Sequence, residues 1–264
     1  MLTEAKNQFK VLFLTIKYAL MREMVNKASF VSSIVFMLLN NATFIIEWII
    51  LFSLKDNFGG FELKDVLLLW GIASGTYGVS HFFFKNCFNL AETINTGKLD
   101  SYIVQPKNVL LSVITSSVEP SAIGDMIYAY IMLFIYGFNI TNFLLVTLFM
   151  FTGGIIMVCI AVIFGSLSFW FQKSDTVADT ANSLMGNFAT YPDTIFKKGV
   201  KILLYTLVPV GLSTYLPVHI IRDFNIHGFL IIIASTLLLV SLSFIIFNLG
   251  LKRYSSSNLM IAKI

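Results

Sequence analysis

Long apolar runs separated by short polar breaks dominate this chain. A helix needs about 20 mainly apolar residues to cross a bilayer, and residues 29–54 supply the first such run, interrupted by Asn40, Asn41 and Glu47. A second run covers 66–84, where Gly71 and Gly75 form a small-xxx-small pair that lets another helix approach closely. The next run is too long for one span. Pro120 disfavours the α conformation at Glu119, so a third span is predicted to start near Ser121, with 109–118 as an interfacial or entering segment. The fourth, 143–171, ends in the aromatic triplet Phe169, Trp170 and Phe171 and is closed by Lys173. The last, 228–249, is the cleanest and stops at Lys252 and Arg253. The runs are continuous rather than alternating at strand period, so the spans are helical and a β-barrel is excluded.

Two readings remain for the stretch between the fourth and last spans. Hydropathy alone selects 202–221, although Pro209 and Pro217 would break that helix twice. The alternative makes 176–191 a polar span facing protein, followed by a re-entrant segment that carries both prolines and is buried or lines a cavity. Both give six spans. Ahead of them, residues 1–27 place Phe9, Leu12, Phe13, Ile16 and Leu20 at helical spacing, with Lys6, Lys10, Lys17 and Arg22 between. That pattern fits an amphipathic helix lying in the membrane interface, or a helix packed on other protein. With the amino terminus inside and the polar-span reading, twelve of the 18 lysines and arginines fall on the inner side, which puts both termini in the cytoplasm. The hydropathy reading moves Lys197 and Lys198 inside, so this rule on its own leans the other way.

Composition agrees with a membrane protein: 57% of the 264 residues are hydrophobic and 12% charged, against about 25% charged in soluble domains, and the mean hydropathy is +0.82. The first apolar run is broken by Lys17, so it does not read as a cleaved signal. The formal charge of +4 comes without a basic run and argues against nucleic acid. Cys87 and Cys159, at the end of one span and inside another, read as packed free thiols. There is no G-x-x-x-x-G-K-[ST], H-E-x-x-H or G-x-S-x-G, and no Cys/His cluster, so a nucleotide site, a metal site and a membrane enzyme all lack support. His81, His219 and His227 read as structural or interfacial. Inside a span a carboxylate is costly, which makes Glu47 a candidate for the pathway or for packing against a neighbouring helix. Asp125, near the start of the third span, reads as capping or pairing at the cytoplasmic boundary.

The stretch "ETINTGKLDSYIVQP" interrupts the apolar pattern between spans two and three. Gly97 can end a short helix in the left-handed conformation, and Asp100 can cap the next turn. Such a helix can be a docking surface for a cytosolic partner or simply a solvated loop.

The overlapping "INTGKLDSYIVQPKNVL", then "YPDTIFKKGVKILLYTLVPVGLSTYLP" and "LKRYSSSN" together resemble, in this order, the ABC-2 type permease family of ATP-binding-cassette exporters, and specifically the branch of six-span permeases often encoded as unlike pairs with one ATPase. The resemblance covers nearly the whole chain. It implies an all-α membrane protein of the type V exporter fold: one domain, 1–264, with an interfacial helix at 1–27, spans one to four in 29–171, a coupling region at 86–108, and span five, re-entrant segment and span six in 176–250. It assigns ATPase coupling to Glu92, Thr93, Gly97, Lys98, Leu99 and Asp100, and places the re-entrant segment at 196–222 with Pro209 and Pro217. This favours the polar fifth span. Lys107 and Asn108, after Pro106, are more polar than in such permeases and leave the end of that helix open.

The substrate pathway would draw on Asn40, Glu47, Asn182 and Asn187; a pathway lined by Asn and Ser fits drugs, peptides, lipids or glycans alike. The resemblance further implies a cytosolic ATPase subunit that binds ATP and magnesium, with no cofactor in this chain. It also implies a second permease, identical or related, contact with membrane lipids, and a prokaryotic plasma membrane. The rival reading is an ion-driven transporter or channel with Glu47 as the ion-linked carboxylate. Such carriers often pair broken helices in two halves, whereas the prolines here cluster in one.

Overall fold

A computed structural model describes residues 2–171 and 174–255. Lys173 and the tail from residue 256, which holds Lys263 and part of "LKRYSSSN", lie outside the described residues. So do the side chains of Lys6 and Leu12.

The described chain is helical, apart from a single isolated bridge between Phe58 and Phe61. α1 (Leu2–Glu23) leads into α2 (Lys27–Leu54) and α3 (Leu63–Phe84). A 3₁₀ turn (Lys85–Asn89) and three short helices follow, α4 (Leu90–Asn95), α5 (Asp100–Ile103) and α6 (Val109–Ile114). Then come α7 (Ala122–Gly137), α8 (Ile140–Gly165) with a 3₁₀ extension (Ser166–Phe169), α9 (Asp175–Ala189) and α10 (Lys198–Thr206). A π-turn (Gly211–Tyr215) runs into α11 (Leu216–Arg222), and α12 (Ile226–Leu251) ends the bundle. Asn26, Asn108, Asn139 and Asn225 each stand before a helix and accept a hydrogen bond from a first-turn N–H, satisfying donors that the helix itself cannot.

α3 and α8 form the buried centre, whereas α2 and α12 keep wide apolar faces uncovered, among them Phe36, Ile50, Leu237 and Ile245. Such faces belong against lipid. α1 likewise leaves Phe9 and Phe13 exposed beside Lys10 and Lys17. Close packing at the centre depends on the small residues of α3: a Cβ at Gly71 would fall 2.8 Å from Met132 Cβ on α7, and one at Gly75 2.5 Å from Met150 Cγ on α8. Around this contact lies one apolar core that includes Val66, Leu69, Ile72, Leu133, Phe149 and Val210.

Among the described residues, four helices are long and apolar enough to cross a bilayer: α2, α3 with its extension to Asn95, α8 with its 3₁₀ extension, and α12. The single helix that hydropathy selects over 202–221 does not form. α10 and the segment Gly211–Arg222 meet at a bend of 84°, because Pro209 has no N–H to continue the ladder. Pro217 does not break the segment: it sits in the first turn of α11, directly after the π-turn. α9, expected to face protein as a polar span, has 15 residues; Ala178, Ala181, Met185 and Ala189 pack inward, while Asp179, Ser183 and Asn187 are exposed. α7 is also short, at 16 residues. The chain has already passed into the bundle by way of α6 and 115–121, so this helix begins beside Gly78 rather than at the end of α3.

Candidate functional site: a central cavity between two polar ends

Helical periodicity brings Trp70, Ala73, Ser74 and Tyr77 to one face of α3, where they wall a cavity of about 370 Å³. α2 adds Asn40, Asn41 and Phe44, α9 adds Gly186, Asn187 and Thr190, and the π-turn adds Ser213 and Thr214. From the first turn of α7 comes Asp125. Its Oδ1 accepts from Asn41 Nδ2 at 2.6 Å and lies 3.3 Å from Ser74 Oγ, which also donates to the Asp125 carbonyl at 3.0 Å.

Asp125 is therefore not at a boundary. It sits opposite Ser74, ten residues and about 15 Å of helix rise from the end of α3, because the chain enters deeply before α7 starts. Its signal in the sequence was the one that marked Glu47, a carboxylate within an apolar run, and the depth of the segment before it was what the pattern could not convey. Glu47 itself is exposed on α2 and does not line the cavity.

A second space of about 470 Å³ shares Tyr77, Met157, Gly186 and Asn187 with the first and extends along α9 past Asp179 and Asn182 to Phe88 and Asn89. Of the four sequence-predicted pathway residues, Asn40 and Asn187 meet at the first space, and Asn182 joins Asn187 at the second. Between Tyr77 and Phe88 the His81 ring is stacked on both sides, with centroids at 3.6 and 4.1 Å. Beside it Lys85 pairs with Glu119, and the Glu119 N–H donates to the His81 carbonyl at 3.2 Å.

The stack ends where the short helices begin. Gly97 has φ +74° and closes α4, as its position in the sequence suggests. Asp100 does not cap the next turn: Leu99 is already helical at φ −61°, ψ −28°, and Asp100 is the first residue of α5. Thr93 and Leu99 point inward; Leu90, Ile94 and Leu99 pack with Cys87 on Val158, Ala161 and Val162 of α8 and Phe247 of α12. Both cysteines are buried free thiols. Glu92 and Lys98 point outward and pair at 2.7 Å, next to the exposed apolar pair Ile103 and Val104. The result is a platform, rigid underneath and polar with an apolar tip on top.

At the other end of α3 a second polar cluster holds α11. Arg222 pairs with Asp65 at 3.3 Å, donates to the Gly60 carbonyl at 3.0 Å and lies over the Phe61 ring at 4.6 Å. Asp193, in the loop after α9, receives Lys201 and His219, each at 3.2 Å. Burial alone would raise the Asp193 carboxyl, but the hydrogen bonds and charges of His219 and Lys201 outweigh it, and the pKa lies below the usual carboxylate value. Tyr215 Oη donates to the Phe188 carbonyl at 2.6 Å, which ties the bent segment, Pro209 and Pro217 buried within it, to α9.

Among the described residues, no three His, Cys, Asp or Glu side chains come together in a way that could hold a metal ion. The profile of a family described as "ABC-2 family transporter protein" matches residues 38–258, from the middle of α2 through the end of α12. No curated protein and no solved structure matches the chain.

Proposed function

The chain belongs to the ABC-2 family of transporter proteins, and from that premise we propose that it is the membrane-spanning half of an exporter driven by a separate ATPase. A multi-pass membrane permease of ABC type follows from the family and the apolar helices.

The observation that carries this reading is the platform at 85–114. Its underside is locked into the bundle through Leu90 and Leu99, both fully buried, while Glu92, Lys98, Ile103 and Val104 face out. A push on such a surface reaches α8 and α12 directly, because a close-packed core transmits displacement. The adjoining stack of Phe88, His81 and Tyr77 carries it to the cavity wall. ATP and magnesium bind the partner ATPase, whose closure moves the platform; the cluster around Arg222 and Asp193 is the opposite gate, and the two ends open in alternation.

The chain works as a pair, with itself or a related permease. The exposed polar face of α9 supports this, since Asp179, Ser183 and Asn187 are costly against lipid and acceptable against a second subunit or an aqueous path. α1 lies in the interface among lipid headgroups, both termini face the cytoplasm of a prokaryotic cell, and the segment from α10 to α11 is re-entrant from the outer side. The test is purification from native membranes. An ATPase subunit should come with the chain, the complex should turn over ATP, and the isolated chain should not. Robust turnover by the isolated chain, or a native complex without any ATPase, would overturn the proposal.

A further inference from the structure

We infer that the central cavity is a binding site for an amphiphilic organic cation, a protonated amine carried on a flat apolar body. The inference rests on the transport reading and names the substrate class for the same pathway. The cavity lining contains one acid, Asp125, and no lysine, arginine or histidine. Asp125 is 3% exposed, and both neighbouring donors reach only its Oδ1; Oδ2 is buried without a partner. A buried carboxylate without a counter-charge is costly, and a lining with no lysine, arginine or histidine offers none; a cationic ligand would supply it.

The rest of the wall suits an amine with an aromatic or aliphatic body. Trp70 and Phe44 stack at 4.6 Å and, with Tyr77, offer ring surface to a cation. Met37, Met157 and Met185 adapt to an irregular apolar shape. Asn187, Thr190 and Thr214 add neutral polar contacts. At about 370 Å³ the space falls within the range for small-molecule sites, roughly 300–1,000 Å³. An anion would meet the Asp125 charge with no base to offset it, and a neutral ligand could donate a hydrogen bond to Oδ2 but would leave the charge uncompensated.

The test uses the purified permease–ATPase complex in nanodiscs of phosphatidylcholine, whose lack of net charge removes electrostatic accumulation of the ligand. The probe is tritiated tryptamine, read by scintillation proximity and competed with tryptophol, its neutral analogue, and indole-3-acetate, its anionic one. Saturable tryptamine binding is expected, with tryptophol at least tenfold weaker and indole-3-acetate ineffective. Asp125→Asn keeps Oδ1 as the acceptor for Asn41 and Ser74, so the local fold is preserved; it should weaken tryptamine at least tenfold and change tryptophol less than twofold. Asn187→Asp adds a carboxylate at the exposed lip of the cavity and should tighten tryptamine severalfold. Absence of saturable tryptamine binding, equal affinity for tryptophol, displacement by indole-3-acetate, or an unchanged affinity in Asp125→Asn would each overturn the inference. ATPase co-purification and ATP turnover of the wild-type complex without any amine test the transport reading separately.

Discussion

Charge reversal at Glu92 should separate docking from folding on the platform. The Glu92–Lys98 pair spans 2.7 Å, but its side chains are 58% and 63% exposed, and a pair so open to water contributes about 0–1 kcal/mol. Glu92→Arg should therefore cost the fold about 1 kcal/mol at most. Against a complementary ATPase groove the same change places like charges together, a loss of several kcal/mol. Leu99→Ala is the opposite perturbation: the side chain is fully buried, and its removal costs about 2–5 kcal/mol while touching no partner surface.

Cys87 provides the fold readout, since it is 1% exposed in the same apolar layer as Leu99. With Cys159 replaced by serine, its labelling rate by a maleimide reports local opening. Glu92→Arg should raise that rate by about fivefold or less, and Leu99→Ala by about 30-fold or more, because 1.4 kcal/mol is a factor of ten. ATPase pull-down at matched membrane abundance should fall more than tenfold for Glu92→Arg. Retention of the ATPase by Glu92→Arg, or Cys87 labelling as fast as in Leu99→Ala, would refute the division of this stretch into a docking surface and a buried anchor.

Other outcomes follow from the remaining contacts. Asp193 has a folded pKa below its ordinary 3.8, so its contribution to stability is complete above that value and is lost as pH falls through the folded one; wild type should melt above Asp193→Asn from pH 5 upward, by about 1–2 kcal/mol, with the gap closing below about pH 4. Gly71→Val drives a side chain into Met132 on α7 and should cost about 1–3 kcal/mol by thermal unfolding, whereas Gly199→Ala on α10 meets nothing within 4 Å and should be neutral or stabilising by up to about 1 kcal/mol. Cysteine at the exposed Lys197, in a chain without Cys87 and Cys159, should react with an impermeant thiol reagent on intact cells; labelling only after the membrane is opened would put the segment on the inner side.

Four apolar helices were legible in the sequence because a bilayer imposes length and hydropathy on each span separately, with no reference to its neighbours. The left-handed glycine at 97 was legible for a similar reason, since the requirement is local to one backbone position. Family membership is likewise a property of residue order along 38–258. What the pattern could not convey was depth and facing. A run of apolar residues carries no record of how far into the bundle its first turn lies, so Asp125 read as a boundary residue until α6 and the turn after it were seen to enter beside α3. Glu47 and Asp125 are both carboxylates in apolar runs, yet one is exposed on a peripheral helix and the other closes a cavity. The choice between them depends on which helix faces find each other across 84 residues of chain, as Asn41 and Asp125 do, and that is settled by packing between helices rather than by periodicity within one.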